Sequence, residues 1–346
     1  MALQTEIKND AGEFIVLNDR EEMGVHHNQQ ILNSLGYEVN LTSLTAISKR
    51  ISEQKFFKIA PADYMPVVVG EGTWSAELLT YRSFSLGGDF EKGIINTGAD
   101  NSRLARADAG VDSITVPITN WSMEIGWSIF DIQMASKSGN WDIVTAKEKA
   151  RKIEWDLGIQ KIAFLGLLSN PGVYGLLTQP DVTSNTADIT KYIKDMTASQ
   201  FNTFISVIIG DYQTNCQYTA MPDRFIIPNV DYNGLASFPD STYPLKTKLE
   251  ILLDAFKTLT MNPNFKIMPC AYADEVNNAS VTGLNKNRYT LLNGDPDSVR
   301  MDIPLDYTNT MANTINGMTY QNVGYGQFTG VKAYRPLEML YFDFSN

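Results

Sequence analysis

The sequence predicts an α+β protein. Three observations carry this: strand-like and helix-like segments alternate through residues 197–308, one long helical pattern fills 142–166, and residues 74–120 read as two strands joined by a long excursion. With 346 residues, 43% of them hydrophobic, the chain has the length for one large or two ordinary domains and the apolar content for a packed core.

Residues 1–40 are polar and loosely patterned, as in an extended arm. "LTSLTAISKRISEQKFF" (41–57) puts Leu44, Ile47 and Ile51 on one helical face. "IAPADYMPVVVG" (59–70) carries two prolines and reads as an extended connection with a short strand. "WSAELLTYRSFSLGGDF" begins as a strand and breaks at Gly87-Gly88. The Gly- and Asn-rich stretch 91–112 follows, and "SITVPITNW" (113–121) returns with Ile114, Val116 and Ile118 alternating. Together they form a two-stranded hairpin with an elaborate tip, which needs a surface to lie on because a lone ribbon is marginal in water.

"SMEIGWSIFDIQMASKSGNW" (122–141) passes from strand to a short helix ending near Gly139. In 142–166, Asp142 stands at the N-cap position and Ile143, Ala146, Ala150, Ile153 and Leu157 are spaced as an apolar stripe. Glu148 and Lys152 are placed to pair at i,i+4. Gly158 inside the helix implies close backbone packing, and Gly166 is its natural stop. Further on, 197–213 and 245–259 are amphipathic helices, the first with Phe201, Phe204, Ile205 and Ile208, the second with Leu249, Leu252, Leu253 and Phe256. Strands are expected at 223–229, 264–273, 288–294 and 299–308, the region reading as a compact α+β or α/β unit, and 318–344 closes the chain with aromatic, strand-rich sequence.

Charged residues are only 19%, and Asn, Thr, Ser, Gln and Tyr fill the difference. Such a surface suits a protein that meets much other protein; an ordinary acidic protein fits the composition equally. A net charge of −11 argues against a dedicated nucleic-acid reader. The early residues lack a secretory pattern and no apolar run approaches the ~20 residues of a membrane span, so a cytoplasm-like compartment and no membrane partner are expected.

Chemistry is sparse. Cys216 and Cys270 lie far apart and read as buried free thiols. The two histidines, His26 and His27, are adjacent in the first segment, and no zinc-ligand set, nucleophile elbow or phosphate loop occurs. Asp295, Asp297 and Asp302 carry calcium-like spacing, but Pro296 and a missing Glu favour a solvated turn. Neither a catalytic group, nor a cofactor, nor a metal is expected. Lys147, Lys149, Arg151 and Lys152 form the one local basic cluster; it reads first as a solvated helix face interleaved with Glu148 and Glu154, and as the sharper alternative as a weak contact to nucleic-acid phosphates.

The ordered set from Trp74 to Val182 resembles the tailed-phage and prophage major capsid proteins of the Hong Kong 97-type fold. "WSAELLTYRSFSLGGDFEKGIINTGADNSRLARADA" is similar to their outgoing hairpin arm, and 112–166 to their return strand, short helix and long spine helix. "PGVYGLLTQPDV" resembles their "G-x-x-GLLN-x-PNV" corner, with Thr178, Gln179 and Asp181 where Asn is commoner, and the acidic "GD" often seen after the helix is missing from "FLGLLSN". The resemblance covers about a third of the chain well and the rest in element order. It implies an N-terminal arm and first helix (1–73), an E-loop hairpin (74–120), a P domain with the spine helix (121–189), an A domain (190–308) and C-terminal strands returning to the P domain (309–346).

By the same resemblance the chain is a structural, non-enzymatic virion protein. It would assemble in the bacterial host cytoplasm into pentamers and hexamers of an icosahedral shell around double-stranded DNA. Portal, scaffold and decoration proteins are the implied partners, with weak non-specific contacts to DNA. Arg82, Lys92, Arg103 and Arg106 would make inter-subunit contacts from the E-loop. Gly166, Pro171, Gly172 and Gly175 would set the corner, and Lys147, Lys149, Arg151 and Lys152 would face DNA inside the shell. Two other readings stand beside it: an encapsulin-type shell around enzyme cargo, and an acidic carbohydrate-active enzyme with a carboxylate pocket.

Overall fold

The computed structural model describes residues 5–8, 14–17, 58–86, 108–137, 142–167, 170, 172–237, 245–279 and 284–345. The chain divides into two units, 1–56 with 134–141, and 57–133 with 142–346. In the first, β1 (Thr5–Lys8) and β2 (Phe14–Leu17) pair antiparallel within the segment expected to be an extended arm. The helix expected over 41–57 lies outside the described residues, as do His26 and His27.

The second unit begins with α1 (Pro61–Tyr64), a single turn with proline at its start where an extended connection is expected, and β3 (Val67–Val69). Proline's fixed φ and missing N–H suit the first turn of a helix, which is why the first of the two prolines starts a turn. Then come β4 (Glu77–Leu86), β5 (Asp108–Ser128), α2 (Ile129–Lys137), α3 (Ile143–Leu165) and β6 (Thr183–Asn185). After them run α4 (Ala198–Asn215), β7 (Arg224–Pro228), α5 (Asn229–Ala236), α6 (Lys248–Leu259), β8 (Lys266–Cys270), α7 (Glu275–Asn278) and β9 (Asn287–Leu292). The chain closes with β10 (Val299–Ile303), β11 (Leu305–Asn309), β12 (Asn313–Thr314), β13 (Thr319–Thr329), β14 (Val331–Ala333) and β15 (Met339–Phe344). The run 299–308, expected as one strand, is two. Pro304 has no N–H to give a ladder, and β10 and β11 enter different sheets on either side of it.

Among the described residues three sheets build this unit, in the orders β14–β10–β3, β11–β13–β5–β4 with β12 also on β13, and β6–β15–β9–β7–β8. The last sheet separates two apolar cores. Ile226, Leu292, Met339 and Tyr341 point to one, while Phe225, Ile227, Leu291, Leu340 and Phe342 point to the other. Strand side chains alternate between faces, and β9 and β15 are buried at every position, so their polar members Asn287, Arg288, Thr290 and Asp343 are enclosed with the apolar ones.

Asp142 caps α3 through its carboxylate, accepting from the Val144 and Thr145 amides. The buried face of α3 is not the expected stripe. Arg151, Trp155, Ile159 and Ile162 are buried, while Ala150 is exposed and Ile143, Ala146, Ile153 and Leu157 are only half-buried. That face meets β13 at Gly324 and Gly326, where any side chain would collide with Arg151 and with Trp155 respectively. Glu148 accepts from the Asn322 amide at 2.9 Å rather than pairing with Lys152. A Cβ on Gly158 would meet nothing within 4 Å, so close packing does not explain that glycine.

Candidate assembly surfaces

β5 is one strand of 21 residues, where the sequence pattern suggests two shorter ones. At ~3.4 Å per residue it spans about 70 Å. Its halves have different neighbours: Ile118–Ser128 pairs with β13, and Asp108–Pro117 pairs with β4 on the opposite edge. The outer half therefore continues beyond β13 as a two-stranded ribbon with β4. Midway along it, Arg82 donates to the Tyr334 carbonyl at 3.0 Å, and Thr80 Oγ1 lies 3.5 Å from the Tyr334 hydroxyl. Arg82 also pairs with Asp112 across the ribbon at 3.4 Å. These bonds are within the subunit, on the face opposite Leu79 and Tyr81. Lys92, Arg103 and Arg106 lie outside the described residues.

The corner after α3 is closed by backbone bonds. Gly166 ends the helix with φ 76°, a conformation that favours glycine. Leu176 and Leu177 donate back to the Ala163 and Phe164 carbonyls at 2.8 and 2.9 Å, and Leu167 donates to Val173 at 2.9 Å. So close a return leaves no space at Gly175, whose Cβ would run into the Phe164 carbonyl. Gly172 has φ +107°, and Pro171 lies outside the described residues. Thr178 Oγ1 accepts from the Gly175 amide at 2.8 Å and donates to the Leu165 carbonyl at 3.2 Å. Gln179, buried, donates to the Gly175 and Val331 carbonyls at 2.8 Å each, and the Tyr341 hydroxyl donates to Leu176 at 2.6 Å. The corner thus ties α3, β14 and β15 together before the chain enters β6, and two of the three residues that depart from the family's Asn positions, Thr178 and Gln179, carry bonds there.

Of the basic cluster, Arg151 is 1% exposed and cannot face a ligand in solution, which corrects its expected place on an outward face. Its guanidinium donates to the Tyr307 hydroxyl at 2.7 Å, the Asn309 side chain at 3.1 Å, and the Asn322 carbonyl and side-chain oxygens at 3.0 and 2.9 Å. Lys147 donates to the Gly126 carbonyl at 2.7 Å, while Lys149 and Lys152 are exposed. Arg151, Trp155 and Ile159 recur at four-residue spacing, so the signal for this face was in the sequence; the arginine's charge concealed it.

Asp302 is buried, not solvated. Its carboxylate stands 3.3 Å from Arg300, whereas Asp295 and Asp297 lie near Arg335 at 4.0 Å. Among the described residues no three His, Cys, Asp or Glu side chains converge as metal ligands. Cys216 and Cys270 are buried free thiols, and burial pushes Cys270 up to about 12. One perturbed pair was not anticipated. Burial and a hydrogen-bonded neighbour, Asp188, raise Asp211 to about 6.

The model of the major capsid protein family matches residues 93–344. The chain belongs to the major capsid protein family. No curated protein sequence matches this capsid protein. Its structure is similar to the capsid of the myovirid phage XM1, with 18% identity over 89% of this chain and 99% of that one and a TM-score of 0.71. It is also similar to a structure from Mycobacterium phage Bobi, with 11% identity, 89% and 98% coverage and a TM-score of 0.58. The capsid of a native GTA particle gives 10% identity, 89% and 100% coverage and a TM-score of 0.51. The fold is the Hong Kong 97 type, and the capsid protein is a structural component of a virion shell made from many copies of itself. The family match favours a capsid over an enzyme-cargo compartment.

Proposed function

We propose that this capsid protein closes pentamers and hexamers into an icosahedral container for double-stranded DNA, and that it turns over no substrate. The observation that carries this is the ribbon of β4 and the outer half of β5. It is two strands wide and ten residues long, with Leu79, Tyr81 and Val111 exposed on one face, so it is completed by another subunit rather than by its own. On this reading residues 74–120 are the E-loop and 121–189 the P domain. Residues 190–308 are the A domain, 1–73 the arm and first helix, and 309–346 the C-terminal strands. Assembly takes place in the host cytoplasm with portal and scaffold or decoration proteins as partners. Lys149 and Lys152 make weak phosphate contacts inside the shell; Arg151 does not.

Expression of the chain alone, followed by negative-stain microscopy and size-exclusion chromatography, tests this. Closed, regular particles or capsomer rings are expected. A small oligomer that forms no rings or particles under any assembly condition would overturn the reading.

A further inference from the structure

Three Asn-Gly pairs occur in the chain, Asn233-Gly234, Asn293-Gly294 and Asn316-Gly317. In such a pair the glycine amide nitrogen, with no side chain beside it, stands next to the side-chain carbonyl carbon of the asparagine. The fold closes the route between them at two of the three. Asn233 and Gly234 lie inside α5, where backbone N–H groups are committed to the helical ladder, and the Lys194 side chain packs against Gly234. Asn293 is half-buried and gives its side-chain amide to Glu338 Oε2 at 2.9 Å, while the Gly294 N–H is held by Asp223 Oδ1 at 2.7 Å. Two carboxylates there oppose any negative charge that would grow on the Asn293 oxygen.

Asn316-Gly317 is built the other way. Both residues are exposed in the turn between β12 and β13, Gly317 has φ +77°, and a Cβ placed on it would meet nothing within 4 Å. The Asn316 side-chain oxygen accepts from two backbone N–H groups, Met318 at 3.1 Å and Thr319 at 2.8 Å. The Gly317 N–H donates to the Thr314 hydroxyl at 2.8 Å, a neutral acceptor. Two amide donors aimed at one carbonyl oxygen are the arrangement that stabilises an oxyanion in acyl transfer. We propose that Asn316 is a deamidation site whose own turn promotes the reaction. The Gly317 nitrogen attacks Cγ of Asn316 and gives up its proton to solvent. The new N–Cγ bond puts negative charge on Oδ1, where the Met318 and Thr319 amides hold it. The Cγ–Nδ2 bond then breaks, and the nitrogen leaves as ammonia with a proton from water. The five-membered succinimide that remains takes up one water and opens to Asp or to β-linked isoaspartate. Nothing is oxidised or reduced. The product adds a negative charge to the chain's −11. Its β-linked form also lengthens the backbone by one methylene, which breaks the bonds of the turn and loosens β12 from β13. Both cores stay intact, since none of residues 313–319 belongs to either.

The test stores the parental full chain in mildly alkaline buffer, native and in urea, and follows it by peptide mapping with mass spectrometry. Exchange of the amide NH2 for OH marks each deamidated peptide, and an isoaspartate methyltransferase with labelled methyl donor scores the β-linked product. The urea sample supplies the rate that each Asn-Gly pair has without the fold. Against that reference, folding is expected to slow Asn233 and Asn293 roughly tenfold or more, because each must first open locally. Asn316 is expected to convert in the native chain at least as fast as in urea. The measurement uses unassembled subunits and no substitution, so it does not depend on shell formation or on a variant that folds. Slowing of Asn316 by folding, or native conversion of Asn233 or Asn293 at the Asn316 rate, would overturn the proposal.

Discussion

Arg151 shows how a single residue can be assigned to the wrong surface by its charge. It lies beside three lysines in the sequence, yet its guanidinium is enclosed by Tyr307, Asn309 and Asn322 and pins α3 to the β13 side of the sheet. Arg151→Met would leave several buried acceptors without donors, a loss of about 2–4 kcal/mol, and should lower the unfolding midpoint clearly. Its affinity for double-stranded DNA should stay at the parental value, whereas Lys149→Gln with Lys152→Gln should flatten the salt dependence of binding. Unchanged stability of Arg151→Met would show that the enclosure does not hold the helix. Asp211 gives a pH signature at the same scale. Its folded-state pKa, about 6, is above the ~3.9 of an unfolded chain. The folded state therefore binds the proton more tightly between those values. Stability from this group grows as pH falls from 7 towards 4 and is lost as pH rises through 6. Melting curves from pH 4 to 8 should show that slope, and Asp211→Asn should reduce it and melt higher than the parent above pH 6.

At the scale of elements, the corner and the spine helix make opposite predictions for glycine. Gly175→Ala forces a methyl group against the Phe164 carbonyl, where only backbone can move, at a cost of ~3 kcal/mol. Gly172→Ala meets only the Pro117 ring, at 3.4 Å, but keeps a strained φ of +107°, costing about 1 kcal/mol or somewhat more. Gly158→Ala sits in a helix with open space around it and should stabilise the unassembled subunit by ~0.5–1 kcal/mol. Thermal unfolding of the three single variants should therefore rank Gly158→Ala, parent, Gly172→Ala, Gly175→Ala from most to least stable. A different order at Gly175 would mean that the chain does not return against the helix end as closely as described.

For the whole molecule, folding and assembly are separable because the ribbon joins the body through β5 and the bonds of Thr80 and Arg82 to Tyr334, and neither Thr80 nor Arg82 lies beyond residue 86 of β4. The body has two cores about a common five-stranded sheet, and both are built from residues outside 87–107 among those described. Replacing 87–107 with a short Gly-Ser turn should leave a soluble protein with near-parental circular dichroism that stops at monomers or isolated capsomers. Arg103→Ala with Arg106→Ala should give a milder, salt-sensitive form of the defect, since exposed pairs contribute only ~0–1 kcal/mol each. Regular closed particles from the shortened chain would remove this segment from the assembly interface.

Much of this protein was legible in its sequence because local rules govern it. Caps and stops depend on a few neighbouring residues, so Asp142 and Gly166 bounded α3 correctly, and apolar periodicity located α4 and α6. The ordered set of hairpin, spine helix and corner was specific enough to indicate the capsid family. The four-residue spacing that marks the buried face of α3 was present, but the place of Arg151 on it was not legible, because burying a charged side chain depends on acceptors that arrive 156 to 171 residues later, from Tyr307 to Asn322. The division of 299–308 between two sheets and the placing of β15 between two cores came from long-range pairing that no local pattern encodes. The polarity of the ribbon was equally hidden. Alternation in β4 and β5 shows two faces, but which face the subunit keeps for itself is decided by where Tyr334 stands, and that position is set only when the distant strands close.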